Sequence, residues 1–154
     1  MDLFGIFLFL HLFGAMAGIG PTFVFGRISR QGAGTEHSLF ATRVVRLLTS
    51  TTAIPLSALV LVSGIGLMVV RGYALFDRMW LLVSIILFAG SFTYSITVQN
   101  PTLARVIEAT RGGEQPTGEA AAEIARLRIR IRRGGIYLRA TATVILVLMI
   151  FKPF

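Results

Sequence analysis

The sequence contains no cysteine and few charged residues. Without cysteine, disulfides, thiol catalysis and thiolate metal sites are excluded. Charged residues make up 14% of the chain, whereas a soluble domain carries roughly 25%. Because so few charges cannot cover a whole surface, much of this chain must face lipid or other protein.

Four long apolar runs make up much of the sequence, and the mean hydropathy is +0.77. The runs cover residues 3–26, 51–70, 79–98 and 136–152. The first three reach the ~20 residues that a helix needs to cross ~30 Å of hydrocarbon. Unpaired backbone groups are costly in lipid, so spans are expected to be helical. We therefore predict an all-α integral membrane four-helix bundle, a single membrane domain over residues 1–154.

The first run is expected to be a span and not a cleavable signal, because Asp2 stands where a signal peptide has basic residues. The Gly-rich stretch 26–38 predicts the first loop, and the second helix is expected to begin near Ser38, before the membrane. Asn100 and Pro101 are expected to end the third span, and the Gly and Pro residues of segment 111–118 predict a turn.

An amphipathic helix is predicted immediately before the last span. Ala120, Ile124, Leu127 and Ile131 recur at helical spacing, which favours a helix over the strand that the alternation LRIRIRR would also allow. Thr117 is a candidate N-cap, and a break is expected at the Gly134–Gly135 pair.

The basic residues are distributed unevenly, and this predicts an orientation. Twelve of the 15 lie in the first and third loops. Arginine-rich loops mark the cytoplasmic side, so both termini are expected on the non-cytoplasmic side. The net charge of +8 is therefore interpreted as a determinant of membrane orientation and not as a sign of nucleic-acid binding. Arginine far outnumbers lysine, as in GC-rich bacterial genomes, and the expected location is a bacterial inner membrane.

An arginine cluster lies on the predicted amphipathic helix. It is a candidate contact for anionic lipid, to which each arginine would contribute roughly 1 kcal/mol near the surface, or alternatively for an acidic partner. Its members are Arg126, Arg128, Arg130, Arg132 and Arg133.

His11 is the one ionisable side chain that we place well inside a span, and an intramembrane ionisable residue is a functional-site hypothesis. It is a candidate ligand for haem or another porphyrin or for a metal, or a candidate proton-carrying group. The alternative is a neutral histidine hydrogen-bonded to a Ser, Thr or Tyr of another span. Methionines 16, 68 and 149 raise a weak copper hypothesis, but scattered methionines usually fill gaps in a core. We therefore assign no metal site.

Small residues share the helical face of His11. Gly14 and Gly18 form a GxxxG pattern, which lets a second helix approach closely. Gly64 and Gly66 are further candidates for helix packing. His11 is thus expected to point into the bundle.

The segments HLFGAMAGIG, SGIGLMV and LMIFKP resemble the predicted integral membrane family called domain of unknown function 2269. That resemblance implies an architecture and no activity. The opening histidine followed by small residues more distantly resembles HemJ-type protoporphyrinogen oxidases and CopD-type copper-resistance domains. The HemJ resemblance implies that His11 is a haem ligand, but it also implies an intramembrane lysine, and the only lysine here is Lys152.

Three functions are compatible with these observations. No nucleophile–base pair, carboxylate dyad or phosphate loop is visible, so an enzyme is not the first expectation. We expect a structural or accessory subunit that packs against lipids and a larger membrane complex, such as a respiratory or photosynthetic one. The alternatives are a haem- or porphyrin-binding oxidoreductase of HemJ type, and copper or small-solute transport.

Overall fold

The computed structural model describes residues 2–32, 37–73, 78–111 and 117–153. Every regular element in these ranges is helical. Four helices are long and apolar enough to cross a membrane, which confirms the predicted all-α class. They comprise Leu3–Gln31, Ser38–Arg71, Met79–Ala109 and Gly118–Phe151, and are called spans one to four below.

Span one consists of two helices joined at a turn. Helix α1, Leu3–Gly14, begins after Asp2, whose carboxylate accepts a hydrogen bond from the Gly5 amide at 3.1 Å. A π-helical turn, Ala15–Ile19, precedes Gly20 and Pro21, and helix α2 then covers Thr22–Gly32. The predicted start of the first loop near residue 26 is therefore wrong, since the helix continues for almost two further turns.

Span two begins at Ser38, as predicted. Helix α3, Ser38–Leu48, leads through a π-helical turn, Thr49–Ala53, into helix α4, Ile54–Arg71. Gly72 ends α4 with φ +64°, a left-handed conformation that glycine adopts without steric cost.

Span three does not end at Asn100 and Pro101, which corrects the sequence prediction. Helix α5, Met79–Tyr94, passes through a π-helical turn, Ser95–Gln99, into helix α6, Asn100–Ala109. Proline lacks an amide hydrogen and breaks a regular helix interior. Here it occupies the first turn of α6, where proline is tolerated.

Span four is one continuous helix, α7, Gly118–Phe151, of 34 residues. The predicted amphipathic helix and last apolar run are therefore a single rod, and the break expected at Gly134–Gly135 does not occur. Thr117 is the N-cap residue, although its side chain makes no capping hydrogen bond. Residues 112–116 of the predicted turn lie outside the described ranges.

The helices make two different arrangements along the bundle axis. At the arginine-rich end, α2, α3, α6 and α7 form a closed ring in which each helix contacts two neighbours. In the apolar half, α1 packs on α4 and α5 packs on α7, and among the described residues there is no sustained backbone contact between these two pairs. The four spans thus form a ring at the arginine-rich end and two separate helix pairs in the apolar half.

A small hydrophobic core stabilises the ring. Its largest fully buried side chains are Leu103 and Val106, and Val45 and Ile124 are also buried. A 34-residue helix is about 51 Å long at 1.5 Å per residue, which exceeds the ~30 Å hydrocarbon layer. The ring therefore extends beyond the apolar runs, where water outside and apolar residues inside favour its amphipathic helices.

Candidate functional site

His11 lies in the contact between α1 and α4. Its Nδ1 is 2.9 Å from the carbonyl oxygen of Val60 and 3.4 Å from the Oγ of Ser63. A carbonyl oxygen only accepts, so Nδ1 carries the hydrogen and donates it. The ring is half-buried, and the side chain joins spans one and two.

Ser63 completes this connection. Its hydroxyl is almost fully buried and donates to the Leu59 carbonyl at 2.6 Å, so it is free to accept from His11. In a neutral imidazole with hydrogen on Nδ1, the Nε2 atom carries a lone pair. Within the described ranges, the hydrogen bonds of His11 all involve Nδ1. The arrangement therefore ties two helices together and leaves one ring nitrogen as an acceptor.

Four glycines surround this contact. An added Cβ at Gly14 would lie 3.0 Å from the Val60 side chain, and one at Gly18 would lie 2.6 Å from Leu56 Cβ. An added Cβ at Gly64 would lie 3.1 Å from the His11 imidazole, and one at Gly66 would lie 2.5 Å from the phenyl ring of Phe7. All four of these glycines thus lie where span one packs closely against α4.

A second polar contact joins spans three and four, and the sequence analysis missed it. Gln99 is 8% exposed, and its Nε2 donates to the Ile131 carbonyl at 3.2 Å. An added Cβ at Gly134 would collide with the Gln99 side chain and lie 2.5 Å from the Tyr94 hydroxyl. The available signal was a lone glutamine at the end of an apolar run, opposite a glycine pair.

The arginine cluster on α7, from Arg126 to Arg133, is exposed at all five positions. The Nη2 of Arg128 donates to the Ser38 hydroxyl at 3.4 Å, which links the start of span two to span four. These arginines lie on the outside of the ring, where water, lipid headgroups or a partner can reach them.

Arg139 is a second ionisable residue inside an apolar run. It was counted with the third loop, although it lies within the fourth apolar run. It is half-buried, and its guanidinium lies 3.0 Å from the added Cβ position of Gly26 and 3.5 Å from that of Gly135. The side chain extends one turn toward the arginine-rich end, as arginines do near a membrane border.

The copper hypothesis depended on His11 and Met16. Met16 is 76% exposed on the outside of span one. Within the described ranges there is no cluster of three or more His, Cys, Asp or Glu residues with metal-binding geometry.

The outer side of α5 carries a row of small residues, called the α5 small face below. It consists of Ala89, Gly90 and Thr93 on α5 and of Thr97 in the π-helical turn that follows, all exposed. Ala89, Thr93 and Thr97 are spaced four apart, so they share one side of the helix. The Thr97 hydroxyl bonds the Thr93 carbonyl at 2.8 Å, whereas the Thr93 hydroxyl bonds no other described residue.

Comparison with known proteins gives one finding. A family model described as predicted integral membrane protein (DUF2269) matches residues 6–153. Searches of curated proteins and of solved structures give no match to this chain. The more distant resemblance to HemJ-type and CopD-type proteins stays a prediction.

Proposed function

The chain belongs to DUF2269, a family of predicted integral membrane proteins, and on this premise we propose that it is a non-catalytic subunit that packs against a larger membrane complex, such as a respiratory or photosynthetic one. It is a multi-pass membrane protein with four candidate spans, so its apolar surface contacts lipid.

The observation that carries the proposal is the Thr93 hydroxyl on the α5 small face. Thr93 is 14 residues into α5, about 21 Å from its start at 1.5 Å per residue, so it lies within the hydrocarbon layer. A hydroxyl that faces lipid without a partner is unfavourable. Small neighbours such as Ala89 and Gly90 allow another helix to approach closely, and a hydrogen bond between membrane helices contributes on the order of 1 kcal/mol.

The contact of His11 with Val60 supports a structural role for that residue. Its Nδ1 hydrogen bond joins two spans of the same chain, as a neutral core histidine would. The glycines beside it allow the helices to pack closely around the imidazole. This hydrogen bond and the close packing stabilise the contact between spans one and two.

Cysteine cross-linking tests this function, and the natural absence of cysteine makes single-cysteine variants simple to build. Thr93→Cys, labelled in native membranes with a photoactivatable maleimide, is expected to yield a protein adduct of defined mass. Val62→Cys, 62% exposed on α4, is the control and is expected to label only lipid. Lipid adducts alone at both positions would show that no subunit contacts the α5 small face.

The orientation is proposed from the arginine-rich ring. All four spans extend beyond their apolar runs at the same end, and that end carries most of the arginine. The positive-inside rule then places the ring in the cytoplasm of a bacterial cell and both termini on the other side of the inner membrane.

A second candidate, haem or porphyrin binding by a HemJ-type oxidoreductase, is favoured by one detail of His11. An imidazole whose Nδ1 donates to a backbone carbonyl has a lone pair on Nε2, the atom through which such histidines coordinate metals. This candidate predicts a Soret band in the purified protein that His11→Ala removes. Protein purified without a Soret band, but together with a stoichiometric membrane partner, would favour the structural role instead.

A further inference from the structure

A groove between α3 and α6 opens on the outside of the ring. Apolar residues form much of its lining, including Phe40, Leu47 and Ile107. Phe40 is 69% exposed and Leu47 is 59% exposed, although both precede the apolar part of span two. Exposed apolar side chains outside the hydrocarbon layer are unfavourable in water, and they mark a surface that another molecule covers.

The charges of the groove are mostly positive. Arg43, Arg46 and Arg111 line it together with one acid, Glu108. The Glu108 carboxylate lies 3.8 Å from the Arg111 guanidinium, so it already has a cationic neighbour. The groove therefore keeps an excess of positive charge beside an apolar surface, which is complementary to an anion that carries hydrocarbon chains.

The membrane-facing end of the groove lies at the depth of the headgroup layer. Its lower end is Ser50, which directly precedes the apolar run that starts at Thr51. Arg46 stands five residues before Thr51, about 7.5 Å along the helix, and the headgroup layer is about 5 to 8 Å thick on each side of a bilayer. A phosphate at this depth is within reach of a flexible arginine side chain.

The space below the groove is suited to an acyl chain. Helices α3 and α6 contact each other in the ring, but their continuations α4 and α5 make no sustained backbone contact within the described ranges. The helix backbones are therefore less closely packed directly below the groove than at its level. A lipid whose headgroup lies between α3 and α6 would extend its chains between the two helix pairs.

We propose that the groove between α3 and α6 binds an anionic phospholipid, with its phosphate held by Arg43 and Arg46 and with Arg111 adding positive charge at the outer end of the groove. Guanidinium groups bind phosphate through short, charge-assisted hydrogen bonds, often two at a time. Leu47 contacts the glycerol, whereas Phe40, which lies farther from the membrane than Arg43 and Arg46, covers the outer side of the headgroup. This site is separate from the arginine cluster on α7 and does not depend on the proposed subunit role.

The test is lipid selectivity measured by electron paramagnetic resonance with spin-labelled lipids. The full chain is reconstituted in phosphatidylcholine vesicles, and the immobilised fraction of spin-labelled phosphatidylglycerol is compared with that of spin-labelled phosphatidylcholine. The wild type is expected to prefer phosphatidylglycerol. The triple variant Arg43→Gln, Arg46→Gln and Arg111→Gln is expected to lose on the order of 100-fold in relative affinity at this site, since each arginine contributes about a factor of five near anionic lipid.

A matched control separates this site from general positive charge. The triple variant Arg126→Gln, Arg130→Gln and Arg133→Gln removes the same charge from exposed positions of α7, and it is expected to lose less of the preference than the groove variant, because these arginines do not line one groove. The charge-retaining variant of the groove, with lysine at all three positions, is expected to keep most of it and shows that the fold tolerates substitution there.

Three results would overturn the proposal. The first is a control variant that loses as much selectivity as the groove variant, because the preference then belongs to the α7 cluster. The second is a groove variant that keeps the wild-type preference. The third is a wild type that does not prefer phosphatidylglycerol, which is the result expected if an acidic protein segment occupies the groove instead.

Discussion

The substitution Gly18→Ala tests the packing of spans one and two. The new Cβ would lie 2.6 Å from Leu56 Cβ and 3.3 Å from the Leu56 carbonyl carbon. Carbon atoms in contact are normally about 3.5–4.0 Å apart. Leu56 Cβ and the backbone behind it cannot rotate away, so the two helices must separate by roughly 1 Å.

The cost of Gly18→Ala follows from two opposing effects. Overpacking a close contact costs about 1–3 kcal/mol, and alanine recovers up to about 1 kcal/mol relative to glycine through helix propensity. We expect a net loss of about 1–2 kcal/mol in the free energy of unfolding. Gly90→Ala is the control, because its Cβ meets only the Tyr137 hydroxyl at 3.7 Å, an ordinary contact.

The assay is reversible unfolding of the purified chain in mixed micelles by increasing sodium dodecyl sulfate, followed by circular dichroism. Gly18→Ala is expected to unfold at a lower detergent fraction than the wild type, and Gly90→Ala at the same or a higher fraction. If the two variants are equally stable, the close approach of α1 and α4 at Gly18 is incorrect.

Further predictions concern the helix contacts and the orientation. His11→Ala is expected to cost about 0.5–1.5 kcal/mol in the same unfolding assay, because it removes the hydrogen bond that joins spans one and two; an unchanged midpoint would contradict this role. Gly134→Ala is expected to lower the free energy of unfolding by about 1–3 kcal/mol, because the new Cβ displaces Tyr94 and Gln99. Gly135→Ala should be close to neutral, because its Cβ meets only the end of the Arg139 side chain at 3.5 Å. A reporter enzyme fused to either terminus should be active only on the non-cytoplasmic side, and cytoplasmic activity would reverse the proposed orientation.

The number of spans was predictable, but the helix ends were not. Hydropathy reports which residues favour lipid, and it does not report where a helix stops after it leaves the membrane. Pro101 was predicted to end the helix. A π-helical turn precedes it, however, and span three continues to Ala109. The ring at the arginine-rich end depends on contacts between distant segments, and these are not visible in local composition.

The candidate site was predictable only in part. His11 and its glycines share one helical face, so an inward direction could be inferred from spacing. Its hydrogen bond to Val60 involves a backbone carbonyl, which every residue has, and no sequence pattern distinguishes it. Gly134 was predicted to break the helix. It is instead buried against Gln99 and Tyr94 and allows α7 to pack on span three.

The particle size after extraction from native membranes tests the central claim, that this protein is a subunit of a larger assembly, most directly. The chain alone has a mass of 16.8 kDa. Expressed at its natural level and extracted in mild detergent, it is expected to migrate in native electrophoresis with at least one other membrane protein in a fixed ratio. A stable monomer with no co-purifying protein would contradict the account.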